Sequence, residues 1–268
     1  MTKKLFAVLL ILLFTITFSA CGGGKGDNEA VPGNSTPTGN LKASGGIYGE
    51  PGHELSDFHD AVAKTIKGFE EPLGDLTSNP EYFLFSQDYV MPIVQIAAIG
   101  MFDSLEALGK DEGEYREASG GIIEFGEEYT LEQESFNPNE HIGDKIKLDG
   151  TLNTNTNTLV LEATVTRGGT IVKRIVNEAV LISDGVLVLQ TLDMPYPSDK
   201  GENKGNAYFI VCDGKNIEVI YAKFPYEPSF TYKTIVSKGL LDADDMASGY
   251  TLIRKLAVEN GTATAEKY

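Results

Sequence analysis

Four pairs of turn residues, Gly168-Gly169, Asp184-Gly185, Asp213-Gly214 and Asn260-Gly261, stand between or after short apolar runs in the second half of the chain. Glycine lacks a Cβ, and Asn and Asp tolerate left-handed backbone, so such pairs supply the positive φ angles that tight hairpins need. The runs they punctuate, "AVLIS", "VLVLQTL" and "YFIVC", are short enough to be strands. Upstream, Ile146, Leu148 and Leu152 alternate with Lys145, Lys147, Asp149 and Thr151. Leu159, Leu161, Ala163 and Val165 likewise alternate with Glu162, Thr164 and Thr166. Each of these stretches reads as a half-buried strand. Short loops force consecutive strands to pair antiparallel, which predicts a meander of roughly seven to ten strands.

Before about Gly121 the period is helical. In "HELSDFHDAVAKTIKGF" the apolar residues Leu55, Phe58, Val62, Ile66 and Phe69 recur every three or four positions, with Ser56 or Asp57 as the expected cap and Gly68 near the end. A second segment, 91 to 108, carries Pro92 in its first turn and is apolar almost all round, so it wants burial on most sides. The expected class is α+β: N-terminal helices packed on a large, curved antiparallel β-meander, with helix 91 to 108 covering the apolar face and a half-barrel as one shape the curvature allows. Half-barrels of that shape occur among bacterial lipoprotein carriers and some envelope lipoproteins that hold acyl chains. The likeness is one of architecture, since no motif of those proteins is present.

The N-terminus begins with Lys3 and Lys4, continues through an apolar stretch from Leu5 to Phe14 and ends in the small residues Ser19 and Ala20 before Cys21. A basic start, a short apolar run and small residues make a secretory signal, and the run is shorter than the about 20 apolar residues of a membrane span. Phe18-Ser19-Ala20-Cys21 resembles the lipobox of bacterial lipoprotein precursors, which most often have Leu where this chain has Phe18. The resemblance implies diacylglyceryl transfer to the Cys21 sulfur, cleavage before Cys21 and acylation of the new amino group. One acyl chain holds a protein only marginally and two or three hold it stably, so the implied location is the extracytoplasmic face of the cell membrane, with the membrane as first partner.

Three units follow: a lipoprotein signal peptide over 1–20, a flexible tether over 21–50 and one globular domain over 51–268. The tether is rich in Gly, Pro, Ser, Thr and Asn with little to bury. As a coil of about 29 residues it has a root-mean-square reach of roughly 30 Å.

The net charge is −17, and removal of residues 1–20 takes two lysines and no acid, making the chain still more acidic. Such a surface repels phosphate backbones and argues against nucleic acid as a partner. With Cys21 lipidated only Cys212 remains, so no intrachain disulfide forms, and Cys212 beside strand residues reads as a buried, inert thiol.

Chemistry-bearing motifs are few. His53 and His59 are six residues apart, about 120° from sharing a helix face, so with His141 they make no expected metal site. Two acidic loops, one with Asp242, Asp244 and Asp245 and one with Asp199, Glu202 and Asn203, offer oxygen ligands but lack the EF-hand pattern, so they read as solvated turns. There is no G-x-S-x-G elbow, no phosphate-cradling loop and no dinucleotide fingerprint. Glu124, Glu127, Glu128, Glu132 and Glu134 cluster, yet two carboxylates make an acid and a base only if their environments differ. "NTNTNT" reads as a polar hairpin loop, and the long 192–206 connection with Pro195 and Pro197 reads as functional or disordered. The aromatics Tyr221, Phe224, Tyr226, Phe230 and Tyr232 read as core ahead of a groove rim.

The sequence thus assigns one site, lipidation at Cys21, and no catalytic residue, cofactor or metal ligand. It favours a non-catalytic binding domain for an apolar ligand or an envelope protein partner. The alternatives are a cell-surface hydrolase working with carboxylates and a passive structural or adhesive domain.

Overall fold

Turn chemistry sets the frame. Gly168, Gly169, Gly185, Gly214, Asn260 and Gly261 all adopt positive φ, and a hairpin closes at each pair. In the "NTNTNT" loop the Asn153 carboxamide oxygen accepts the N–H groups of Asn155 and Thr156, and Asn157 takes a φ of 49°. At the 213–216 turn the Asp213 carboxylate accepts the N–H groups of Lys215 and Asn216.

The computed structural model describes residues 47–48, 53–86, 88–89, 92, 115–118, 120–132, 139–194, 204–225, 232, 234–235 and 242–268. The elements in chain order are α1 (Glu54–Lys67), α2 (Glu70–Thr77), a 3-10 turn (Phe83–Phe85), β1 (Tyr115–Ala118), β2 (Ile122–Thr130), β3 (Lys145–Asn153) and β4 (Thr158–Arg167). They continue as β5 (Thr170–Ser183), β6 (Val186–Met194), β7 (Lys204–Asp213), β8 (Ile217–Pro225), α3 (Ala243–Ala247), β9 (Thr251–Glu259) and β10 (Thr262–Lys267). The ten strands form one antiparallel sheet in sequence order, each paired with its chain neighbours, so the protein is mostly β and its sheet a meander. The strands begin at Tyr115, earlier than the change of period near Gly121 suggests. Helix 91 to 108 lies outside the described residues except for Pro92, which is helical and buried, as are Asp88 and Tyr89 before it.

Strand alternation sorts the core into two clusters on opposite faces. On the first face Leu159, Leu187, Leu189, Ile210 and Val219 join a cluster that also contains Leu55, Phe58, Val62 and Ile66 of α1. Those four fall on the stripe that the sequence spacing predicts, and burying each stabilises the fold by about 1.5–3 kcal/mol. The helix starts before the expected cap: His53 is the N-cap, without a side-chain hydrogen bond, and Ser56 and Asp57 lie in the first turn. The Ser56 hydroxyl instead donates back to the His53 carbonyl. Ile47 and Tyr48 pack against the same cluster.

On the second face Val176, Val188, Phe209, Ile220 and Phe224 cluster with Ile235 and with Ala243, Met246 and Ala247 of α3. Both faces are therefore apolar over β5 to β8, which explains the near-continuous apolar runs there. Two glycines make room for aromatic rings: Phe125 lies over Gly150 opposite it, and Phe224 over Gly205.

Candidate functional site

Polar residues occupy inward positions on the first face at one end of the sheet. Register aligns Asn177, Thr191, Tyr208, Tyr221 and Arg254 in one row across β5 to β9. The adjacent row holds Ile175, Asp193, Asn206 and Lys223. Directly opposite residues bring their Cβ atoms to about 5 Å, so these side chains meet by construction.

They form a connected network. The Asp88 carboxylate takes two hydrogen bonds from Arg254, at 2.8 Å from Nε and 2.6 Å from Nη2, joining residues 166 positions apart. The Arg254 guanidinium lies 4.4 Å from the centroid of the Tyr221 ring and 5.2 Å from that of Phe85. Tyr221 stacks on Tyr208 with centroids 5.2 Å apart. The Tyr221 hydroxyl donates to the Asn206 carboxamide oxygen at 2.8 Å, which leaves the Asn206 amide to donate to the Asp193 carboxyl. Beside this chain the Thr191 hydroxyl donates to the Asn177 oxygen at 2.7 Å.

The network is electrostatically tense. Burial pushes the Asp88 carboxyl up to about 6, against the pull of Arg254. Burial also works against the Arg254 charge, but its bonds to Asp88 outweigh that and hold the guanidinium protonated. Asp193 is raised by burial, opposed by Lys173 and by the Asn206 hydrogen bond. Its Oδ1 is sealed from solvent with no hydrogen-bond partner, a condition shared among the described residues only by the Tyr48 hydroxyl. An unpaired buried polar atom costs about 1–3 kcal/mol, so Asp193 is a liability to the fold. Burial likewise raises the Tyr208 phenol, which stays a hydrogen-bond donor.

The second face carries a different polar group. Glu178, buried, accepts the Gln190 side-chain amide at 2.6 Å and the backbone N–H of Ile235 at 2.9 Å, so it fastens the 232–235 segment to the sheet. Arg174 bonds both oxygens of Glu162 and lies 5.7 Å from the Tyr232 ring centroid. Among the described residues, then, Asp88 and Asp144 are bound at both oxygens, Glu178 lies on the opposite face, and Asp193 is the carboxyl that keeps a covered oxygen unpaired.

The residues singled out in the sequence fall elsewhere. Cys21 lies outside the described residues, as do Asp199, Glu202, Asn203, Tyr226, Phe230 and Glu134. His59 Nδ1 lies 3.2 Å from Asp60, and the backbone N–H of His141 bonds the Asp144 carboxylate, so the three histidines are not brought together. Asp242 caps α3 through the N–H groups of Asp244 and Asp245, while Asp244 pairs with Lys255 at 3.0 Å. Among the described residues no three His, Cys, Asp or Glu side chains come together as a metal ion would require. Glu124, Glu128 and Glu132 are exposed. Tyr221 and Phe224 are core residues on opposite faces, and Cys212 is buried, its thiol pushed up by burial. Sequence reading missed the first-face network, because both faces of β5 to β8 are buried and parity does not set Asn177, Thr191 and Asp193 apart from Glu178 and Gln190.

Among the described residues no helix is long and apolar enough to cross a membrane. Compared with protein-family models, with curated proteins and with solved structures, the chain matches none.

Proposed function

We propose that this chain is a lipid-anchored extracytoplasmic protein whose β-rich domain binds an apolar ligand without chemical turnover. The anchor rests on Phe18-Ser19-Ala20-Cys21, placed after a basic start and an apolar run. The observation that carries the binding role is the polar network on the otherwise apolar first face, where Asp193 keeps an unpaired buried oxygen. Groups that cost stability and are strongly perturbed cluster at functional sites more than elsewhere.

In this reading the helices form a layer over a curved sheet, in the manner of a half-barrel, and the ligand lies between the two. Support comes from the shared cluster of α1 and sheet residues and from register shifts at Val165/Thr166, Leu181/Ser183 and Tyr221/Ala222, since bulges bend and twist a sheet.

Two measurements test the proposal. Cells fed labelled palmitate should incorporate label into the wild-type protein and carry it in the membrane fraction, whereas Cys21→Ser should lose the label; an unlabelled wild type removes the anchor. Organic extraction of the purified Cys21→Ser protein followed by mass spectrometry should recover an apolar compound. A blank extract removes the ligand.

A further inference from the structure

The ligand's polar end is addressed by the network. Lys223 stands directly opposite Asn206, and Lys173 lies two positions along β5 from Ile175, which is opposite Asp193. Both lysines alternate onto the first face with Asp193 and Tyr208, and each of these four residues keeps some exposure, although Asp193 Oδ1 itself is covered. Lys223 in the Asp193 row and Lys173 one step beyond it set two positive charges beside one carboxyl in a chain whose net charge is −17. That argues against a cationic guest, which would have to displace or outbid Lys173 at Asp193.

We infer that Lys173, Lys223, Tyr208 and Asp193 form a subsite for the carboxylate head of an amphiphile, such as a fatty acid, whose chain runs along the apolar first face. The inference rests on the apolar-ligand reading above and specifies its head group. The lysines supply charge and the Tyr208 phenol supplies a donor. Asn206 is oriented by Tyr221, so its amide occupies one oxygen of Asp193 and leaves Oδ1 as the atom in want of a partner. Burial favours the neutral form of Asp193, and in that form its O–H can donate to a carboxylate in a short, strong hydrogen bond. Binding is non-covalent, so nothing beyond the guest is required.

The test uses the full chain as Cys21→Ser, titrated by calorimetry at pH 7 with dodecanoate, dodecanol and dodecylamine. The field of so acidic a protein favours the amine and opposes the carboxylate, so a preference for dodecanoate has to come from a local site. Dodecanoate should bind at least tenfold tighter than either other probe, with that preference lost in Lys223→Ala and in Asp193→Ala. Should Asp193→Ala fail to fold, Lys223→Ala at its partly exposed position carries the comparison. Equal binding of dodecanol and dodecanoate, or binding unchanged by Lys223→Ala, overturns the head-group subsite and leaves the apolar-ligand reading standing. A preference for dodecylamine overturns it too, and failure of all three probes to bind overturns both.

Discussion

At Asp193 a carboxyl group has been carried into the sheet with only one of its oxygens paired. Ionising it there is opposed by burial, and Lys173 and Asn206 offset that only in part. An asparagine has nearly the same shape, keeps an oxygen to accept from Asn206 and carries no charge to desolvate. Asp193→Asn, whose amide Nδ2 takes the place of the unpaired oxygen but carries no charge, should therefore raise the melting temperature at pH 8. The gain should shrink as the pH falls, because a protonated Asp193 no longer carries the charge that the substitution removes. Gly205 shows the opposite sensitivity: a Cβ there would meet the ring of Phe224, itself buried in the second-face cluster. Gly205→Ala should cost about 1–3 kcal/mol in urea denaturation, as overpacking does.

Between elements, an ion pair fastens the described part of one exposed connection to the sheet. Arg167 at the end of β4 bonds both oxygens of Asp144 at 2.8 Å and also the Asn139 carbonyl, while Asp144 accepts the N–H of His141. The Arg167 hydrogen bonds hold the Asp144 carboxyl below its ordinary range despite some opposition from burial. Such a depressed group contributes stability that is complete above the unfolded value of about 4 and is lost as pH falls through the folded one. Asp144→Ala should cost about 2 kcal/mol at pH 7, and the amides of His141 and Gly143 should lose hydrogen-exchange protection before those of the strands. Nothing in the sequence spacing announces this lock, since its partners are 23 residues apart and meet only because β3 and β4 pair in register. Asp88–Arg254 was hidden differently: Asp88 is helical and meets Arg254 of β9 only through tertiary packing, 166 positions away. Local chemistry was legible: the Gly and Asn turn pairs, the α1 stripe and the alternation of β3 and β4 all follow from neighbours in sequence. What sequence spacing could not convey was which polar residues on different strands share a row, because that depends on pairing register. The helical cap was misplaced for a related reason: Ser56 and Asp57 are good caps in isolation, but burial of Leu55 draws the helix start back to Glu54.

Across the whole molecule the balance of titrating groups sets where the fold is most stable. Three buried carboxyls, Asp88, Glu178 and Asp193, are pushed up by burial, Asp88 to about 6. A carboxyl raised in the folded state binds its proton more readily there than in the unfolded chain. It therefore favours folding as pH falls from the folded value toward about 4, and disfavours it as pH rises through the folded value. Asp144 and Asp213 work the other way, but their contribution begins to fall away only near and below pH 4. The net charge of −17 adds self-repulsion at neutral pH that eases as surface acids protonate. All three effects place the stability maximum at mildly acidic pH. The melting temperature should be higher at pH 5 than at pH 8, and scanning calorimetry across that range checks it. Salt separates the causes, since about 1 M ionic strength shortens the screening length to roughly 3 Å and removes most surface repulsion while leaving buried groups largely unscreened. If the buried carboxyls dominate, most of the difference between pH 5 and pH 8 survives in high salt, and Asp193→Asn removes part of what survives. A difference that vanishes in salt assigns the pH dependence to surface charge and counts against a strained polar network on the first face.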